Sequence, residues 1–199
     1  MNLKSSKTLG CIGAILMVIG VPPTINLLLI IELIGVILVL VALHGFASFY
    51  QESGIYTNAL YGIIAGIIGV AIAVAVILPN LIDVLKKAYP NWNGSWTTIT
   101  SLSAMVPKTS NINSVDLNSL ITAGIVALAI LCVFSVTETF FLRRSLKQLA
   151  TKTNVKLFST AGMLLLIGAI LIIAIGFGLL LMWIGAIVLA IAFFKTRAQ

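Results

Sequence analysis

Residues Ala161–Phe194 read AGMLLLIGAILIIAIGFGLLLMWIGAIVLAIAFF, 34 residues without a charged side chain. At ~1.5 Å rise per residue a single helix of that length would reach about 51 Å, far more than the roughly 30 Å of a bilayer's hydrocarbon core. The stretch must turn back on itself. Gly176-Phe177-Gly178 is where the backbone can do so at least cost, because glycine has no Cβ to forbid left-handed angles. Two membrane-spanning helices joined by a tight turn follow, over about 158–175 and 179–194.

The rest of the composition agrees. The chain is 60% hydrophobic and 9% charged, with a mean hydropathy of +1.18. A soluble domain of 199 residues would have nowhere to hide so much apolar surface. The expected fold class is therefore an all-α integral membrane protein. Cys11 and Cys132 both fall inside expected spans, which argues against a disulfide framework. His44 is the one histidine, too few for a Cys/His zinc site. The net charge of +7 is set by basic residues in short loops between spans, a pattern of membrane topology and not of nucleic-acid binding.

Taken in order, Lys4 and Lys7 precede 13 apolar residues, Leu9–Val21, which resemble the start of a signal peptide. No A-x-A-like cleavage site follows, and Pro22-Pro23 stand where the cut would fall, so a retained first span over about 5–21 is expected. The prolines break the helix, and a second span runs over about 26–44. Gly45–Asn58 reads as a short polar connection containing Glu52, and the third span covers about 59–78. Pro79-Asn80 ends or bends that span, and 80–118 form the one long loop, rich in Ser, Thr and Asn. A fourth span over about 120–142 leads into Arg143, Arg144 and Lys147.

Six spans place both termini on one side. That side carries Lys4, Lys7, Arg143, Arg144, Lys147, Lys152, Lys156, Lys195 and Arg197, nine of the twelve basic residues, against Lys86, Lys87 and Lys108 on the other. The positive-inside rule assigns the termini to the cytoplasm and the long loop to the outside. Spans 1–2 and 5–6 form two hairpins flanking spans 3 and 4. At an offset of 150 residues, Ile34-Gly35-Val36-Ile37 aligns with Ile184-Gly185-Ala186-Ile187, which suggests a parallel internal repeat.

Helices in lipid associate where small residues let backbones approach. The third span carries Gly62, Gly66, Gly69 and Ala73 on one face, the most regular such seam in the chain, and is expected at the centre of the bundle. Gly162 in the fifth span and Gly185 in the sixth are further packing positions. A pore lining or a dimer face would use the same residues.

Several segments carry a resemblance. Lys7-Thr-Leu-Gly10-x-Ile-Gly13-x-Ile-Leu16, Ile34-Gly-Val-Ile-Leu-Val-Leu-Val-Ala-Leu43 and Phe141-Leu-Arg-Arg-Ser145 resemble an archaeal family of integral membrane proteins, domain of unknown function 996. So do Leu157-Phe-Ser-Thr-Ala-Gly-Met163, Trp183-Ile-Gly185 and Ala192-Phe-Phe194. The similarity covers nearly the whole chain outside the long loop. It implies an archaeal plasma membrane and brings no known activity and no catalytic residues.

Glu32 is the clearest intramembrane acid, and such groups are functional candidates because they are costly to bury. About six residues from the outer end of its span, it would be ~9 Å deep, and must be protonated, paired or hydrated. Glu138 is expected to neutralise Arg143-Arg144 at the inner boundary, and His44 to sit at the same interface. No nucleophile–base pair, paired carboxylates, metal motif or phosphate-cradling loop is present, so neither catalytic residues nor a cofactor is expected. In the long loop, Leu81, Ile82, Leu85 and Ala88 or Tyr89 on one face oppose Asp83, Lys86 and Lys87, as in a short helix lying in the membrane interface. Trp92 and Trp96 suit the headgroup zone and flank Asn93-Gly-Ser, an N-glycosylation sequon. The sequence therefore favours a non-enzymatic scaffold or accessory subunit, with the bilayer and other membrane subunits or a second copy as partners. The alternative is a small transporter or channel with Glu32 in its pathway.

Overall fold

Unbroken apolar runs demand helix in lipid, where each backbone N–H and C=O must be satisfied within its own segment. In the computed structural model, residues 2–20, 26–92, 94, 107–108, 112–173 and 177–196 are described, the side chains of 26–29 and 173 excepted. All the regular structure among them is helical: α1 Leu3–Gly20, α2 Asn26–Tyr50, α3 Ser53–Ala88, α4 Ser114–Thr153, α5 Leu157–Ile170 and α6 Phe177–Lys195. Five of these are long and apolar enough to cross a membrane; α5, with 14 residues, is the shorter one and continues into a 3-10 turn, Leu171–Ile173.

The helices overrun the expected spans in three places. The polar connection expected over Gly45–Asn58 shrinks to Gln51-Glu52. Gln51 adopts a left-handed φ of 52°, and the Glu52 N–H reaches back to the Ala47 carbonyl at 3.0 Å, closing α2 with a Schellman turn. Ser48, Thr57 and Asn58 lie within the helices, each side chain bonding the carbonyl one turn earlier and so finding a partner inside its own helix. Second, α3 neither ends at Pro79 nor yields a separate interfacial helix: Leu81–Ala88 is its continuation. Asn80 Nδ2 donates to the Val76 carbonyl at 3.3 Å beside the N–H that Pro79 lacks. Third, Arg143, Arg144 and Lys147 belong to α4 and not to a loop. That helix stops at Asn154, whose φ of 56° is left-handed, a conformation Asn tolerates better than most residues.

The chain divides into two compact units, Met1–Gly66 with Phe134–Gln199, and Ile67–Val133. In the first, Leu43, Phe46, Ile55, Leu146, Leu149, Phe158, Leu189 and Phe193 are fully buried. The Phe193 ring meets Phe158 edge-on at 5.0 Å and Phe46 at 6.0 Å. This cluster draws on the ends of α2, α4 and α6 and the starts of α3 and α5, so the tightest packing gathers where the connections are shortest. In this unit α3 buries Ile55 and Ala59 on one face while Tyr61 is 58% and Ile64 43% exposed, so it is not the central helix its glycines suggested.

Glycine sets the helix spacing. A Cβ built on Gly13 would lie 2.7 Å from the Gly35 carbonyl oxygen, and one on Gly35 would lie 2.7 Å from that of Gly13. With Gly20 against Glu32, these contacts run α1 and α2 antiparallel. The Trp183 indole N–H donates to the Val18 carbonyl at 3.0 Å, and Phe193 covers Gly10, joining α6 to α1. Between α5 and α6 the close approach is Gly168 to Gly178. The 150-residue alignment does not carry over to these contacts: Gly162 meets Arg143 of α4 and Gly185 meets Leu165.

In the second unit Asn113 and Asp116 bond each other's backbone N–H, at 2.9 and 3.2 Å, a reciprocal cap for α4. Lys87 pairs with Asp116, and Ser119 donates to Asn80 at 2.7 Å. The Lys87 ammonium, with the Asn113 N–H, holds the Asp116 carboxyl below its ordinary range. Trp92, expected at the headgroups, is buried with 5% exposure. Trp96 and the sequon residue Asn93 lie outside the described residues.

Candidate functional site at the intramembrane glutamates

An acid within an apolar helix needs a neighbour that gives it room or a partner. Glu32 sits near the start of α2, and Gly20, in the last turn of α1, leaves it that room. A Cβ on Gly20 would lie 2.5 Å from Glu32 Cβ. Glu138 is accommodated in the same way by α3. A Cβ on Gly62 would stand 2.8 Å from the Glu138 carbonyl oxygen, and one on Gly66 would stand 2.5 Å from its Oε2. Gly62 and Gly66, one turn apart, thus form a notch for Glu138, with its carbonyl against Gly62 and its carboxyl group against Gly66.

This differs from the expected role of Glu138. Among the described residues the ion pairs are Lys87–Asp116 and Lys152–Glu52, so Glu138 is not neutralising Arg143 or Arg144. Arg144 instead lies over the Phe140 ring at 5.1 Å, one turn before it, and Arg143 packs its backbone on Gly162. Glu32 on α2 and Glu138 on α4 are alike in being held against the glycine backbone of a neighbouring helix, Gly20 of α1 and Gly66 of α3. Counted along the helices, Glu32 stands about 27 Å from the Tyr50 end of α2 and Glu138 about 22 Å from the Thr153 end of α4. Both of those ends border the Phe46–Phe193 cluster.

Sequence reasoning singled out Glu32 as a candidate and missed the seat of Glu138 against Gly66. Glycines spaced four apart signal a notch, but the pattern names neither the helix nor the side chain that enters it. The other candidates separate. Gly69 is a buried residue of α3 in the second unit. Gly162 seats α5 on α4, since its Cβ would come 3.0 Å from Arg143 Cα. Gly185 faces Leu165 at 3.1 Å. His44 meets Tyr56 edge-on, ring centroids 4.8 Å apart. Cys11 and Cys132 are free thiols on α1 and α4. Among the described residues no group of three His, Cys, Asp or Glu side chains could hold a metal ion.

Chemically, the arrangement offers two acids, each set against glycine backbone. It can lock helices together or hold a proton. No solved structure matches the chain. An uncharacterized protein of Methanocaldococcus jannaschii is 24% identical over 195 residues, covering 98% of this chain and 93% of that protein. The match that shows the family runs over residues 31–187, from within α2 into α6 and including both glutamates: the chain belongs to the family described as Protein of unknown function (DUF996).

Proposed function

We propose that this is a non-enzymatic multi-pass protein of the plasma membrane, a scaffold or accessory subunit that packs beside other membrane proteins or a second copy of itself. It crosses the bilayer six times, as two hairpins flanking spans three and four, with both termini in the cytoplasm. The observation that carries the reading is how the polar groups of the spans are used. Glu138 enters the Gly62–Gly66 notch, Glu32 packs on Gly20, Ser145 donates to the Ile55 carbonyl and Trp183 to that of Val18. Each joins one helix to another. Large aliphatic faces are left for lipid or neighbouring helices, among them Ile30, Leu33, Ile34 and Ile37 of α2. The nine-to-three division of basic residues supports the orientation.

Glu32 and Glu138, each set against the glycine backbone of a neighbouring helix, favour a second reading, proton-coupled transport, because an acid in a low-dielectric span can take up and release a proton as helices shift. One experiment separates the two. The purified chain is reconstituted in liposomes and ion and proton flux is measured with Glu32→Gln and Glu138→Gln. A scaffold shows no flux for either variant to abolish. A flux that is lost in folded variants replaces it with the transporter. Gentle purification from the native membrane, with identification of the co-purifying chains, tests the scaffold directly, and recovery of the chain alone and monomeric would count against it.

A further inference from the structure

The end of the first unit where α2, α4 and α6 finish holds a cavity of about 700 Å³. Its wall includes Tyr50 from the end of α2, the connection Lys152–Leu157 between α4 and α5, and Lys195 from the end of α6. No acidic side chain lines it. Lys152 is held by Glu52 at 3.1 Å, whereas Lys156 and Lys195 have no acidic partner among the described residues. The left-handed Asn154 turns the chain so that α5 begins at this wall, and Lys156 stands at its N-cap without capping it by a side-chain bond. The Phe158 N–H is taken by the Val155 carbonyl at 3.2 Å, so what the start of α5 offers an anion is chiefly the positive end of its macrodipole. Leu3, Phe49 and Leu157 add apolar wall beside the cations.

We infer that this cavity binds a phosphate-bearing anion, held by Lys156, Lys195 and the start of α5. A basic pocket between membrane helices is suited to the headgroup of an anionic lipid, whose glycerol and upper chains would meet the apolar wall. Free phosphate or a soluble phosphate ester offers the same charged group without that wall contact. The site is separate from the glutamates, so its failure leaves the reading of those residues untouched.

The test titrates the full chain in neutral detergent with a short-chain phosphatidylglycerol, the matching phosphatidylcholine, and inorganic phosphate. Saturable binding of phosphatidylglycerol is expected, and Lys156→Gln with Lys195→Gln should weaken it about tenfold or more. Lys4→Gln with Lys147→Gln, which removes the same charge outside the cavity, should leave it within about twofold. Phosphatidylglycerol binding that phosphate does not compete assigns the site to lipid; equally strong binding of phosphate assigns it to a soluble ester. Absence of saturable binding by either, or equal losses in both lysine pairs, overturns the inference. Should the glutamine pair fail to fold, lysine acetylation of the unaltered chain gives the same decision. Phosphatidylglycerol should protect Lys156 and Lys195 and not Lys4 and Lys147, and uniform protection would refute the site.

Discussion

Replacing Gly13 by alanine should loosen the α1–α2 contact far more than the same change at Gly66 loosens α3–α4. The added Cβ at Gly13 would stand 2.7 Å from the Gly35 oxygen and 2.8 Å from the Val39 nitrogen, where ordinary contact starts at 3.4 Å. Both atoms are backbone, so neither can rotate away and the helix axes must separate. Separation forfeits the reciprocal close approach at Gly35 and dispersion along the neighbouring turns. Overpacking costs typically about 1–3 kcal/mol, offset by up to about 1 kcal/mol from alanine's better helix propensity. The net expectation is a loss of about 1–2 kcal/mol. At Gly66 the obstructing atoms are the carboxylate end of Glu138, 2.5–2.8 Å away, which can swing aside. Gly66→Ala should therefore be close to neutral, while Gly66→Leu, which would fill the notch, should cost about 1–3 kcal/mol. Because the helices separate only once, Gly13→Ala with Gly35→Ala should cost less than the two singles added. Denaturant unfolding in detergent, followed by circular dichroism, reads all five variants. Equal losses at Gly13 and Gly66, or a Gly13 variant as stable as the parent, would refute the reasoning.

Other expectations follow from single contacts. Ser145→Ala removes a buried hydroxyl that donates to the Ile55 carbonyl and should lower stability by about 0.5–1.5 kcal/mol in the same unfolding assay. Trp183→Phe deletes the bond to the Val18 carbonyl and should loosen α6 on α1, seen as faster amide exchange in α1 than in α2; uniform exchange would remove that role. Asp116 titrates below its ordinary range beside Lys87, so its contribution is present above the unfolded carboxyl value and is lost as pH falls through the folded one. Lys87→Gln should raise the Asp116 titration midpoint, followed by carboxyl NMR, and an unchanged midpoint would deny the pairing. For topology, a cysteine replacing Ser110 should be labelled in intact cells by an impermeant thiol reagent and one replacing Lys147 should not. Lys147 is the proper inner probe because Ser145 is buried and would stay silent on either side.

Helical class and membrane character were legible from the sequence for a simple reason. Apolar runs near the length of the hydrocarbon core leave a chain only one way to satisfy its backbone, and that constraint acts segment by segment. Glu32 was legible on the same ground, since a lone acid in such a run stands out. Helix ends were not, because Ser48, Thr57, Asn58 and Arg143 look like loop residues yet are tolerated in helices that continue past the apolar run. What each small-residue face meets was also beyond a linear reading. The Gly62–Gly66 spacing announces a notch, but whether leucine, backbone or Glu138 fills it depends on which helix lies opposite and at what height. Only the tertiary structure sets that height, through contacts between residues as distant in sequence as Val18 and Trp183 or Ile55 and Ser145. The same packing seats Glu138 against Gly66 and gathers Lys156 and Lys195 around one cavity, because side chains far apart in the chain become neighbours only once the helices have chosen partners.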